Sequence, residues 1–284
     1  MKTYLECIPC FIRQALAAAR LLKADKGTQK AIMDEVAVVL PKFSTEVTPP
    51  EIARKIYRIV EKYTGGEDAY KQLKHKCNKM AMGLYADLKE GVKKSEDPLL
   101  SAVRLAVAGN VIDYGIFDSF DIGKEIEECL EKDFAVFDFE EFRDELSRAD
   151  RVLYILDNAG EIVFDKILIE EMGKDVVCAV RGRPIINDVT MRDAEEVGLE
   201  KICKVISSGS DVPGTLPGDA TEEFRKYYDN ADVVISKGQG NFETLTDENR
   251  SIYFIFKAKC HVVASLLECE LGDIILKRQS PSVG

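Results

Sequence analysis

Histidine is scarce in this chain, and no long apolar run occurs. Among 284 residues only His75 and His261 are found, so a three-histidine metal site is excluded and a histidine-based triad is hard to build. No stretch free of Asp, Glu, Lys and Arg exceeds eight residues, too short for a helix to cross a bilayer. The opening MKTYLECIPC lacks the apolar core of a secretion signal. A cytoplasmic setting is therefore expected, with the eight cysteines as reduced thiols rather than a disulfide framework.

A basic surplus is also missing. The formal net charge is −11, unevenly spread: residues 1–94 hold 18 Lys+Arg against 11 Asp+Glu, and residues 95–284 hold 21 against 39. A body this acidic argues against a nucleic-acid binder. The basic residues near the start read as solvated helix faces. Hydrophobic residues at 46% and charged residues at 31% describe a folded globular chain rather than a disordered one.

What is present falls into two rhythms. Residues 4–23 place Leu5, Ile8, Ile12, Leu16, Ala19 and Leu22 at helical spacing, and residues 29–40 do the same with Ile32, Val36, Val39 and Leu40. Thr48-Pro49-Pro50-Glu51 has the form of a capping box with proline in the first turn, and that helix should stop at Gly65-Gly66. Further helices are expected over about 68–90 and from Asp97-Pro98 to about Ala108. Beyond residue 150, short β-branched or aromatic runs (151–156, 175–180, 204–207, 232–236, 251–256) alternate with helical stretches such as 161–172 and 220–229. The expected architecture is α/β: a Rossmann-like, doubly wound, mostly parallel sheet (residues 95–284) carrying an N-terminal helical bundle domain (residues 1–94).

In an open parallel sheet, ligands gather beyond the carboxyl ends of the strands. The residues following the expected strands are Asp157-Asn158-Ala159-Gly160-Glu161, Arg181 to Thr190, Ser208 to Thr215, Lys237 to Glu243, and Lys257 with Lys259. Asp157, Asn158 and Asp188 offer hard oxygen ligands, which suit one divalent ion such as Mn, Co, Ni or Mg. Arg181, Arg183, Lys237 and Lys259 offer positive charge. The glycine-containing loops around Ser208-Gly209 and Gly238–Asn241 offer backbone N–H groups able to cradle a phosphate. Each piece also has a plainer use. Asp157-Asn158 can make an Asx turn, and Asn187-Asp188 can cap a helix. Gly238-x-Gly240 is a weak dinucleotide fingerprint, and the glycines at 209 and 214 lack a Walker lysine. Cys7 and Cys10 can be a redox pair, half a zinc site or helix core, and core is favoured because no second CxxC exists. Asn110 and Asp113 can end a helix or turn toward the site. His75 is expected on the surface and His261 packed in a helix. The functional case rests on co-location at one sheet edge.

Taken together, DNAGE at 157–161, RGRPIINDVT at 181–190, SGSDVPGT at 208–215 and KGQGNFE at 237–243 resemble the damage-control metal-dependent phosphatases, formerly a protein family of unknown function numbered eighty-nine and related to the acidic-residue methyltransferase-like proteins. ECIPCFIRQAL at 6–16 and AVAGNVIDYG at 106–115 are similar to its archaeal and bacterial branch. The resemblance spans nearly the whole chain. It implies divalent-metal-dependent hydrolysis of a small phosphorylated metabolite, such as a sugar phosphate or a phosphopantetheine-like compound. It implies metal ligands at Asp157, Asn158 and Asp188, and a phosphate-binding lysine at Lys259, with Lys257 two positions away as the other candidate. It also places Asn110 and Asp113 along the cleft. Gln239 stands where the eukaryotic branch carries an acidic residue, so no catalytic role transfers to that position.

The expected site thus has Asp157, Asp113 and Lys259 in catalytic roles. Asn110, Arg181, Ser208, Gly209, Lys237, Gly238, Asn241 and Lys259 would bind substrate or phosphate. The expected partner is the small metabolite alone, with no nucleic acid and no membrane; the sequence sets no oligomeric state. Two other readings stand beside it: a carboxyl methyltransferase using S-adenosylmethionine, disfavoured because the first sheet strand is not followed by a GxGxG turn, and a non-catalytic metal- or metabolite-binding protein.

Overall fold

A computed structural model describes residues 1–66, 68–109 and 122–281. The first three helices are α1 (Cys7–Leu21), α2 (Lys26–Val39) and α3 (Pro49–Thr64). Their apolar stripes meet in one cluster of Phe11, Ala15, Ala18, Ile32, Val36, Ile56 and Val60. The capping box at Thr48 and Glu51 forms, and α3 ends at Gly65 in the left-handed region at φ 88°. Helix α4 (Lys71–Lys94) turns away from that cluster. It buries Cys77, Ala81 and Val92 in the large core beneath the sheet, together with α5 (Pro98–Ala108).

The sheet then builds through α6 (Ile122–Glu131), β1 (Phe134–Phe137), α7 (Phe139–Arg148), β2 (Arg151–Ile155), α8 (Glu161–Met172), β3 (Asp175–Val180), α9 (Met191–Glu196) and β4 (Lys204–Ser207). It continues through α10 (Glu222–Asn230), β5 (Val233–Lys237), α11 (Gln239–Leu245), β6 (Ile252–Lys257), α12 (His261–Leu266) and β7 (Ile274–Gln279). Among the described residues the strand order is β1-β7-β6-β5-β2-β3-β4. All neighbouring pairs are parallel except β6 with β7. The five strands expected from sequence are present. The two reversed strands beyond β6, β7 and the edge strand β1, were not expected.

Alternation along each strand splits the core into two layers. Val152, Tyr154, Val176, Cys178, Val233, Ile235, Tyr253 and Ile255 face α5, α7 and α8. Leu153, Ile155, Val177, Ala179, Val234, Phe254 and Phe256 face α10, α11 and α12. Helix α8 is buried nearly all round, because it lies between the sheet and the pair α4 and α5. The winding reverses at β2: β3 and β4 lie on one side, β5 and β6 on the other. The carboxyl ends of β2 and β5 therefore sit side by side at the switch point, where ligands bind in such sheets.

Helix α4 also reaches that edge. The buried Asn78 accepts a hydrogen bond from the Gly160 N–H at 2.7 Å and donates to Glu196 Oε2 at 2.9 Å. Asn78→Ala should therefore leave a buried N–H without a partner and lower stability by about 1–3 kcal/mol. Urea denaturation of the variant, showing a lower midpoint with an unchanged slope, checks this.

Candidate active site

The site is assembled by backbone pairing before any side chain acts. At the end of β2, the Leu156 N–H donates to Ala179 O at 3.0 Å, so Asp157 leaves the sheet in register with β3. The chain after β3 doubles back over it. Asp157 O accepts from the Val189 N–H at 2.8 Å, and the Ala159 N–H donates to Asn187 O at 2.9 Å. Asn158 and Asp188 thereby pair as an isolated antiparallel bridge. The Arg181 N–H closes the other end of the loop on Val189 O at 2.8 Å. Residues 31 positions apart in sequence, Asp157 and Asp188, are held together by this two-stranded crossing.

Arg181 occupies the gap between the two carboxylates. Its Nε donates to Asp188 Oδ2 at 2.6 Å, one terminal nitrogen to Asp157 Oδ1 at 3.4 Å, and the other to Thr215 Oγ1 at 3.1 Å. The guanidinium is wholly buried. Asn158 Nδ2 donates to Asp157 Oδ2 at 2.8 Å. Burial pushes the Asp157 carboxyl well above its ordinary pKa, and the charges of Asp188 and Glu161 add to the rise. Arg181 and Lys259 oppose it. Asp188 is pushed up to about 6 by burial, against the pull of Arg181.

Beneath these groups is a second, fully buried set. Lys237 Nζ donates to Glu161 Oε1, to Asp165 Oδ1 at 2.7 Å and to Ala106 O at 2.8 Å. The Tyr154 hydroxyl donates to the same Asp165 oxygen at 2.7 Å. Four carboxylates (Asp157, Asp188, Glu161 and Asp165) thus crowd around two wholly buried cations, Arg181 and Lys237, while Lys259 and Lys74 act on Asp157 and Asp188 from further out. Lys74 pairs with Asp193 and Asp68, at 2.9 and 3.4 Å, and its ammonium also donates to Asp188 O at 3.5 Å. Buried carboxylates this crowded, with an amide beside them, fit a hard divalent cation. Gly238 leaves room for the Asp157 carboxylate: at φ +81°, any Cβ there would lie 1.9 Å from Asp157 Oδ2. Among the described residues no group of three or more His, Cys, Asp or Glu is arranged to hold a metal. The candidate set is two carboxylates and one amide.

Several expected phosphate binders have other duties. All three Lys237 donors are engaged beneath the site, so that ammonium has none left for a phosphate. The Ser208 N–H donates to Val180 O at 2.8 Å, that of Gly209 to Ser207 Oγ at 3.2 Å and that of Gly238 to Ile255 O at 3.1 Å. These amides hold loops in place rather than opening as a cradle. Asn241 is a splice: Nδ2 donates to Leu156 O at 3.2 Å and Lys237 O at 2.7 Å, joining the ends of β2 and β5. Arg181 does reach the site, though as a clamp on the two aspartates. Lys259 is exposed, and its charge acts on Asp157. Its backbone N–H donates to Gln239 Oε1 at 2.8 Å, so Gln239 braces the lysine's chain. Lys257 is half-buried at the end of β6. Asn110 and Asp113 lie outside the described residues.

The remaining singled-out residues lie elsewhere. Cys7 and Cys10 occupy the first turn of α1, and burial pushes the Cys7 thiol up to about 11, away from reactivity. His75 is exposed and pairs with Glu196. His261 is also exposed, at the first residue of α12, rather than packed in a helix. Sequence reasoning placed Glu161 at this edge without giving it a role, and passed over Asp165, Lys74 and Asn78. One signal was available: Glu161 and Asp165 put two carboxylates four apart on α8, a helix otherwise too apolar to face water.

Comparison with known proteins adds a family. A model described as the damage-control phosphatase ARMT1-like domain matches residues 3–275. A damage-control phosphatase from Pyrococcus horikoshii is 36% identical over 98% of this chain and 98% of its own. One from Archaeoglobus fulgidus is 31% identical over 95% of this chain and 97% of its own. An uncharacterised protein of Methanocaldococcus jannaschii is 36% identical over 96% and 94%. The crystal structure of a DUF89 family protein from Pyrococcus horikoshii superposes with a TM-score of 0.90 at 35% identity, covering 98% of this chain and 99% of that one.

Gly238→Ala is the sharpest steric test of the site, since its Cβ has nowhere to go but the Asp157 carboxylate. The variant should fold yet lose site function by about 100-fold, the cost of an ångström-scale misplacement. Gly218→Ala, where a Cβ meets nothing within 4 Å, is the control and should be neutral in the same assay.

Proposed function

This chain belongs to the damage-control phosphatase ARMT1-like family, and from that membership we propose that it hydrolyses the phosphate ester of a small metabolite, with a divalent ion held by Asp157, Asn158 and Asp188. One observation supports the reading: Asp157, Asn158 and Asp188 are brought together at the sheet's switch point beside two further buried carboxylates, Glu161 and Asp165. A bound divalent ion would supply Lewis acidity toward a phosphate oxygen and acidify a coordinated water.

The chain's own residues do the rest. Arg181 keeps Asp157 and Asp188 apart and oriented, which prevents the two from sharing a proton in place of a ligand. Lys259, exposed at the rim, meets the incoming phosphate and offsets its charge. With neither histidine in the site, a carboxylate must take the proton of the attacking water. Asp157 or Asp113 is the proposed acceptor. Hydrolysis forms one P–O bond from water and breaks the ester P–O bond, and the proton ends on the departing alcohol. Sugar phosphates and phosphopantetheine-like compounds are the proposed substrate class. The chain after β2, Asp157-Asn158-Ala159-Gly160, gives a methyl-donor cofactor no glycine-rich turn to rest on.

The experiment is a screen of phosphate esters with Mn, Co, Ni and Mg, with and without chelator. Turnover should require metal, and Asp157→Ala should lose at least about 100-fold with the fold retained. Lys259→Ala should raise KM about tenfold, as loss of one charge-assisted contact does. Full activity of Asp157→Ala, or turnover indifferent to chelator, overturns the metal assignment. Affinity for S-adenosylmethionine without phosphate release would favour the methyltransferase.

A further inference from the structure

A side-chain amide is a metal ligand at one end only. The Asn158 carbonyl oxygen can bind a hard cation, and its NH2 group cannot. Rotating the amide by half a turn exchanges the two ends with almost no change in shape. Asp157-Asn158 as a sequence therefore does not say which end faces the ion, and something nearby must choose.

The choice is visible in the hydrogen bonds. Asn158 Nδ2 donates to Asp157 Oδ2 at 2.8 Å and to Glu161 Oε2 at 3.5 Å. The opposite orientation would set the amide oxygen against two carboxylate oxygens, so the NH2 group must point there. Asp157 cannot enforce this alone, because a ligand aspartate gives up oxygen lone pairs to the ion. Glu161 can, because it is fixed from three sides. Its other oxygen receives Lys237 Nζ. Lys237 is itself tied to Asp165 Oδ1 and Ala106 O, at 2.7 and 2.8 Å. The end of α5 presses on it as well: a Cβ at Gly109 would lie 3.1 Å from Glu161 Cγ. Its backbone follows Gly160, whose N–H is held by Asn78 at 2.7 Å. Glu161 and Lys237 are wholly buried, so no water can substitute for either partner.

We propose that Glu161, anchored by Lys237, is a positioning residue that orients the Asn158 amide so its carbonyl oxygen faces the divalent ion. The inference rests on the metal reading above and adds a residue to it. Its consequence is specific. In Glu161→Gln, Lys237 still demands an acceptor, so the glutamine must turn its carbonyl to Lys237 and its NH2 toward Asn158. The polarity at Asn158 is thereby reversed. Asn158 is driven to offer its carbonyl to the glutamine and its NH2 to the ion.

Calorimetric titration of the purified protein with Mn²⁺ alone reads this without turnover. Glu161→Gln should weaken Mn²⁺ binding by about 10- to 100-fold, the usual effect of a residue that orients a ligand. In an Asn158→Asp background the same change should have no more than about a threefold effect, since a carboxylate has two equivalent ends and needs no orienting. Glu161→Asp, which withdraws the carboxylate by one methylene but keeps its charge for Lys237, serves if Glu161→Gln does not fold. It should show the same dependence on the residue at 158. Equal Mn²⁺ affinity of Glu161→Gln and the parent protein overturns the proposal, as does an equal loss in both backgrounds, which would mark general damage. A parent protein that binds none of Mn, Co, Ni or Mg overturns the metal reading and this inference with it. A parent that binds while Glu161→Gln also binds normally overturns the inference alone.

Discussion

Burying carboxylates under one edge of a sheet is costly, and the rest of the structure follows from that constraint. An isolated buried carboxylate loses several kcal/mol of hydration unless it is paired or protonated. Here burial raises Asp165 to about 7 and Asp188 to about 6, and it pushes Asp157 well above its ordinary value. The chain offsets this with an arginine and a lysine that have no exposure at all. Neither cation is positioned to meet solvent or a substrate first. Both hold anions in place.

That requirement explains where the helices are. A buried charged cluster needs a roof, and α8 alone cannot supply it. Helix α5 gives one carbonyl of its last turn, Ala106 O, to Lys237. Helix α4 gives Asn78 to the turn after β2 and Lys74 to Asp193 in the first turn of α9. The small helical cluster of α1 to α3 docks from the side: Arg54 reaches Asp211 and Asp219 at 2.8 and 2.7 Å, and Arg58 reaches Asp211 at 2.6 Å. These pairs are partly exposed and contribute little to stability individually. They fix the helical cluster beside the loop that follows β4.

Much of this was legible in the sequence, and the exceptions have physical causes. The five parallel strands announce themselves because strands covered on both faces are nearly all apolar. β1 and β7 do not, because Phe134–Phe137 alternates half-buried with exposed residues and Ile274–Gln279 ends in Lys277, Arg278 and Gln279. The co-location of Asp157, Asn158 and Asp188 follows from topology, since residues after parallel strands share an edge. The partner of each cation does not follow. Lys237 looks like a phosphate binder because it ends a strand, but its direction is set by alternation: it points to the α8 face, where Glu161 and Asp165 wait. The amides of Ser208, Gly209 and Gly238 likewise looked available only because their backbone partners lie far away in sequence.

The two motifs that seemed independent, DNAGE and KG, are one device. β2 and β5 are neighbours, so the end of one reads the end of the other. Gly238 must lack a side chain because Asp157 occupies that space. One residue earlier, on the opposite face, Lys237 must be a cation because Glu161 and Asp165 lie beneath it. Alternation thus lets two adjacent residues serve two layers: the glycine makes room for the Asp157 carboxylate above, and the lysine anchors the carboxylates below. A change in either residue of the pair 237–238 should therefore be felt across the strand boundary at 157 or 161, and a compensating change should be sought there rather than within its own loop.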